Sequence, residues 1–372
     1  MKPAICEQFG IDFPLFAFSH CRDVVAAVTN AGGFGVLGAT AFTPQWLDQE
    51  LSWIDEHVGG KPYGIDLIVP AKFEGKGEKL APGELAGRIP EDYRGFVADL
   101  LSAHDIEPEA SPRTGPSFLS GDTGKDLLEV AFSHPIKLIA NALGSPPKDV
   151  IDQAHAAGVP VAALAGSAKH AQRHVDNGVD IVIAQGHEAG GHTGEIASMV
   201  LVPEVCDAIG GSAAVLAAGG IGSGRQVAAA LALGAQGVWM GSAFLTSAEY
   251  DLGVRTESGT SVIQQALLAA NSSDTVRRCI YTGKPARLLK SRWTEAWDAE
   301  GAPEPLPMPL QNILVSEAHQ RMSESSDPTT VAMPVGQIVG RMNEIRPVAD
   351  IIAELVAGFE AASKRLDGIR ES

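Results

Sequence analysis

The residue types best suited to chemistry lie in AQGHEAGGHTG, residues 184–194. The Gln185 amide both donates and accepts, enough to read the hydrogen-bonding edge of a planar heterocycle. Gly190 and Gly191 carry no Cβ to hold a flat ligand away from the backbone. His192 follows them, and an imidazole that titrates near neutrality can take a proton from a weak acid or return one. A lone histidine more often serves structure, but a glycine-rich loop directly after an apolar run favours the catalytic reading here. His187 and His192 stand five residues apart in that loop, a poor spacing for a metal pair, so no metal site is expected.

A second constellation is VLAAGGIGSGRQVAAALALGAQGVWMGSAFL, residues 215–245. Gly219 and Gly220 end one apolar run, Ser223 opens an Ala/Leu-rich helical stretch, and the next run ends at Gly241 and Ser242. Glycines let backbone N–H groups approach a phosphate, and a helix N-terminus adds favourable partial charge. The segment holds no lysine, so a phosphate would rest mainly on backbone donors; Arg225 reads as a solvated helix position. Tight turns alone are the plainer explanation, but two glycine clusters coinciding in this way favour the phosphate.

Positioning these loops requires strands. Apolar runs rich in Val, Ile and Leu recur as PLFAF near residue 14, GVLGA at 35, GIDLIV at 64, IKLIAN at 136, VPVAAL at 159, DIVIAQ at 180, AAVLAAG at 213 and GVWMG at 237. Continuous rather than alternating apolar strands suit a parallel sheet covered on both faces, and eight βα units suggest closure. The expectation is an α/β fold, a (β/α)8 TIM barrel over residues 1–250. In such barrels the loops after the seventh and eighth strands are a recurrent phosphate site. A long insertion after the third strand, about residues 70–134, is rich in Pro, Gly and charge and reads as a lid or a surface excursion. Residues 251–372 read as a helical C-terminal extension packed on the barrel, which offers a surface for a homodimer.

Composition narrows the function classes. Lys and Arg number 28 against 45 Asp and Glu, a net charge of −17 that repels nucleic acid. No run is long and apolar enough to span a membrane, and the start MKPAICEQFG lacks a basic n-region and apolar h-region, so a cytoplasmic location is expected. The four cysteines (Cys6, Cys21, Cys206, Cys279) have no CxxC spacing and read as free thiols.

QGHEAGGHTG and LAAGGIGSGRQVAAALALGAQGVWMGSAFL together resemble the nitronate monooxygenase family, formerly 2-nitropropane dioxygenases, which also contains NAD(P)H-dependent flavin reductases. The resemblance extends to IDFPLFAF, NAGGFGVLGA, YGIDLIV and the late GQIVGRM. It implies FMN, with its phosphate on Gly219, Gly220, Gly241 and Ser242, its ring contacted by Gln185, Gly190 and Gly191, and His192 as catalytic base. Two departures stand out. Asp66 replaces the Asn that usually ends the third strand beside the flavin. Phe16 to Cys21 replaces a PMAG-like turn, which leaves backbone contact from Ala17, Phe18 and Ser19, while His20 and Cys21 are expected to alter the pocket.

The resemblance implies oxidative denitrification: His192 removes the α-proton of a nitroalkane or receives the nitronate, and FMN and dioxygen convert it to a carbonyl compound and nitrite. The alternative on the same fold is reduction of FMN by NADH or NADPH, with electrons passing to a quinone or an activated alkene, including a thioester. A non-redox barrel that binds a phosphorylated ligand would leave Gln185 and His192 without a task.

Overall fold

The computed structural model describes residues 3–39, 42–67, 84–104, 106, 121–142, 144–256 and 259–371. Its strands are β1 (Leu15–Ser19), β2 (Phe34–Gly38), β3 (Tyr63–Leu67), β4 (Ile139–Asn141), β5 (Val161–Ala165), β6 (Ile181–Gln185), β7 (Gly191–His192), β8 (Ala214–Ala218), β9 (Gly237–Met240), β10 (Thr275–Arg278) and β11 (Ala286–Leu289). Eight of them close a barrel in the order β1-β2-β3-β4-β5-β6-β8-β9, with β9 pairing back onto β1. All its ladders are parallel. The eight apolar runs of the sequence are the eight barrel strands, and the fold is a (β/α)8 barrel.

Strand alternation sorts the side chains. Phe16, Phe34, Val36, Leu138, Ile181, Ile183 and Leu216 fill the interior, joined by Phe9 of the short helix Ala4–Phe9. Phe9 meets Phe16 and Phe34 edge-on at 5.3 and 5.0 Å and so plugs one end. The alternate residues, such as Leu15, Leu37, Ile65, Val161 and Val215, pack outward against the surrounding helices.

Two regions differ from expectation. The helix Gly121–Ser133 falls within the expected insertion, yet its Leu127 and Leu128 join the same outer cluster as Leu47, Leu51 and Ile54 of the helix Pro44–His57, so it completes a barrel layer. The helix Glu91–Ser102 instead places Val97, Leu100 and Leu101 against Trp293, Trp297 and Val315 of the C-terminal extension. The lid reading rests largely on residues 68–83 and 107–120, which lie outside the described residues. The C-terminal extension is not purely helical. Its strands β10 and β11 form an antiparallel hairpin, and β11 pairs with β7 to make a three-stranded sheet beside the barrel mouth.

The last helix, Val348–Glu371, lies against Gly224–Ala232, the helix that follows the Gly219–Gly220 turn. Contact is backbone to backbone: a Cβ on Gly224 would fall 2.2 Å from Leu355 O and Phe359 N. Gly224→Ala must therefore push the two helices apart. We expect a loss of about 1–3 kcal/mol in urea unfolding, the usual cost of overpacking; an unchanged midpoint would contradict this contact.

Candidate active site

The loop after β6 is held from several sides. The Glu188 carboxylate accepts from the Ser198 N–H at 3.0 and 3.1 Å and from its hydroxyl at 3.0 Å. Arg287 Nε donates to His187 O at 2.9 Å, and the Gln337 N–H donates to Glu188 O at 2.9 Å. The Gly336 N–H donates to Ser242 Oγ at 2.9 Å, tying the GQIVGRM segment to the end of β9 as well. A Cβ on Gly190 would come within 2.7 Å of Val335 and 2.8 Å of Gly336 N. The close approach that Gly190 permits within the fold is thus to residues 335–336.

Gly219 and Gly220 follow β8 with φ of +95° and +71°, the left-handed region that glycine enters without strain. Gly241 is different. Its φ of −115° suits any residue, and a Cβ there would meet nothing closer than Phe18 at 3.6 Å. A methyl group at 241 would make ordinary contact with Phe18, so nothing within the fold itself requires a glycine there. Arg225 is exposed on its helix, as expected for a solvated position.

At the mouth, Phe18 stacks on Trp239 at 6.4 Å and meets His20 edge-on at 5.0 Å. His20 Nδ1 donates to Gly38 O at 2.8 Å. The Ala17 side chain packs outward with the helices, and the Ser19 hydroxyl accepts from the Cys21 N–H at 3.1 Å, so these two face the mouth only through backbone. Cys21 does not alter the pocket. Its thiol turns to Glu249 O at 3.4 Å and the Asp251 N–H at 3.5 Å, and burial pushes its pKa up.

Three polar groups at this end of the barrel, besides His187 Nδ1, make no hydrogen bond to the protein among the described residues. Asp66, on the interior face of β3 and 2% exposed, is the only buried acidic residue among them; its Oδ1 accepts no hydrogen bond, and desolvation raises its pKa to about 7. The half-buried Gln185 amide, at the end of β6, makes no hydrogen bond. The third is His192 Nδ1. The other ring nitrogen, Nε2, lies 2.6 Å from Thr282 Oγ1 on the β10–β11 connection. Desolvation first, and the charge of Lys284 second, lower the His192 pKa to about 4, so the ring is neutral at pH 7. An orphaned carboxyl, an orphaned amide and a bare imidazole nitrogen beside two glycine turns fit a planar heterocycle carrying a phosphate.

The sequence profile of nitronate monooxygenases matches residues 4–358. The chain belongs to the nitronate monooxygenase family. Among its relatives, the Mycobacterium tuberculosis protein with the provisional name monooxygenase Rv1533 is 48% identical over 380 residues, covering 99% of each chain. A Staphylococcus saprophyticus protein, provisionally named nitronate monooxygenase, is 32% identical over 86% of this chain and 88% of its own. The solved nitroalkane oxidase from Streptomyces ansochromogenes superposes with a TM-score of 0.80 at 26% identity, covering 97% of this chain and 99% of that one. FabK from Thermotoga maritima gives 0.74 at 25%, covering 99% of each. As a member of this family the chain is an oxidoreductase.

Nothing in the sequence marks the contact of Thr282 with His192 or the anchoring of the loop by Glu188. The family's GQ segment marks Gly336, but nothing local marks Thr282, 90 residues from its partner. Among the described residues no cluster of three or more His, Cys, Asp or Glu could hold a metal, and no helix is long and apolar enough to cross a membrane. A cleft of about 950 Å³ opens at the opposite end of the barrel, lined by Lys61, Lys137, His155 and Asp180. There His155 pairs with Asp180 at 2.8 Å, and that end of such barrels serves stability rather than chemistry.

Proposed function

We propose that this chain binds FMN at the C-terminal ends of its barrel strands and oxidises nitroalkanes and their nitronates to carbonyl compounds and nitrite, using dioxygen. The observation that carries the reading is the set of unpartnered groups, Asp66 Oδ1, the Gln185 amide and His192 Nδ1, at one mouth with the glycine turns. Gly219, Gly220, Gly241 and Ser242 would hold the phosphate. Gln185, Asp66 and the backbone of Ala17, Phe18, Ser19, Gly190 and Gly191 would hold the ring. FMN supplies, when bound, the acceptance of electrons and the reaction with dioxygen.

The protein's own step is a proton transfer. The substrate Cα–H bond breaks, its electron pair remains on the substrate as the nitronate, and the proton passes to neutral His192. The imidazolium so formed sits beside the anion it has made, which offsets the desolvation that otherwise disfavours its charge. A preformed nitronate needs no such transfer.

Gly241→Ala tests the cofactor reading without any turnover. The fold has room for the methyl group, so the apoprotein melts as wild type. FMN titrated into apoprotein, followed by flavin fluorescence, should bind about tenfold more weakly, roughly 1.4 kcal/mol. Equal affinity would remove Gly241 from the phosphate site, and protein that takes up no FMN at all would sink the whole reading.

A further inference from the structure

We infer that Thr282 decides which nitrogen of His192 is the base: its hydroxyl oxygen accepts the Nε2–H and leaves Nδ1 bare for the substrate proton. This rests on the proposed role of His192 and adds to it a positioning residue from the C-terminal extension. The two side chains are 2.6 Å apart, and Thr282 is 3% exposed.

Both partners hang from one hairpin, so the contact is built in. His192 stands opposite Ala286 in the β7–β11 ladder, and the Thr193 N–H donates to Pro285 O at 3.3 Å. On the other side, the Gly283 N–H donates to Cys279 O at 2.8 Å, and Gly283 has φ +86°. A Cβ on Gly283 would lie 2.3 Å from Met308 N and 2.5 Å from Leu306 O, so the turn that presents Thr282 is pressed against residues 306–308.

The direction of the hydrogen bond follows from the role proposed for His192. A neutral imidazole has one N–H. If Thr282 donated to Nε2, the proton would sit on Nδ1, and neither nitrogen would be free to act as base. With Thr282 as acceptor, its oxygen uses one lone pair for Nε2–H and the other for the Lys284 N–H at 3.4 Å. When Nδ1 takes a proton, the same Nε2–H···O contact becomes charge-assisted and shortens without rearrangement. It therefore serves both protonation states.

The experiment uses holoprotein labelled with ¹⁵N-histidine, with His192 assigned by comparison with His192→Asn. Long-range ¹⁵N–¹H correlation should show the Nε2–H tautomer in wild type and in Thr282→Ser, and a shift toward Nδ1–H in Thr282→Val. In parallel, kcat/KM for a neutral nitroalkane should fall about 10- to 100-fold in Thr282→Val, while Thr282→Ser and the preformed nitronate stay within about threefold of wild type. An Nδ1–H tautomer in wild type, or a tautomer indifferent to Thr282→Val, would overturn the inference; so would equal losses on nitroalkane and nitronate, which mark a merely structural role. Wild-type protein inactive on both substrates would overturn the proposed function instead, while the tautomer measurement still decides the part played by Thr282.

Discussion

His192→Asn, loaded with FMN, is expected to lose about 10²–10⁴-fold in kcat/KM on a neutral nitroalkane, the usual contribution of a positioned general base. Asparagine keeps a polar side chain of similar reach but offers no nitrogen lone pair to a proton. The same variant should oxidise the preformed nitronate within about tenfold of wild type, because that substrate arrives deprotonated. The ratio between the two substrates isolates the proton transfer from any general damage to the mouth. A variant as fast as wild type on the neutral compound would remove His192 from the chemistry. Because burial and Lys284 hold the imidazole pKa down at about 4, wild-type activity on the neutral substrate should not fall through the usual histidine range as pH drops from 7 to 5. A loss centred near pH 6.5 would show a ring more solvated than its surroundings imply.

Asp66→Asn is expected to stabilise the apoprotein, and by an amount that depends on pH. The carboxyl titrates at about 7 in the fold against 3.8 when unfolded, because burial without a partner penalises its charge. Between those values the native state binds the proton and the unfolded state does not, so stability falls as pH rises from about 4 to 7 and then levels off. A difference of about 3 units is worth at most about 4 kcal/mol. At roughly 2.1 cal/mol/K per residue this corresponds to about 5 °C in the melting temperature. The gain from Asp66→Asn should appear in full above pH 7 and vanish near pH 4, read by thermal melts of FMN-free protein across that range. A gain independent of pH would mean that the carboxyl is not the source of the penalty.

The barrel was legible because its strands are buried on both faces and so read as unbroken apolar runs. Val182 faces the helices while Ile181 and Ile183 face the interior, and each must be apolar. Boundaries were harder where an element borrows its context. Gly121–Ser133 follows a Pro- and Gly-rich stretch and was read with it, though Leu127 and Leu128 cover the barrel. Strand β7 has only two residues, too few for any periodicity, and β11 is a short apolar run within a region dominated by helical spacing. The glycine turns and Gln185 could be placed because they sit directly at strand ends. The partners that organise them, Gly336 at Ser242 and Thr282 at His192, are 94 and 90 residues distant and are set by tertiary packing alone. The sequence places Cys21 beside the mouth, but it stands at the N-terminal end of the helix Arg22–Asn30, and its thiol turns toward residues 249–251.

Absorbance of the FMN-loaded protein under anaerobic conditions, mixed separately with an alkyl nitronate and with NADH or NADPH, decides between nitronate oxidation and nicotinamide-dependent reduction. The nitronate alone should change the flavin spectrum, and admitting air should restore it with release of nitrite. A spectrum untouched by nitronate but bleached by NADH or NADPH would contradict nitronate oxidation, and would make the chain a nicotinamide-dependent reductase on the same barrel.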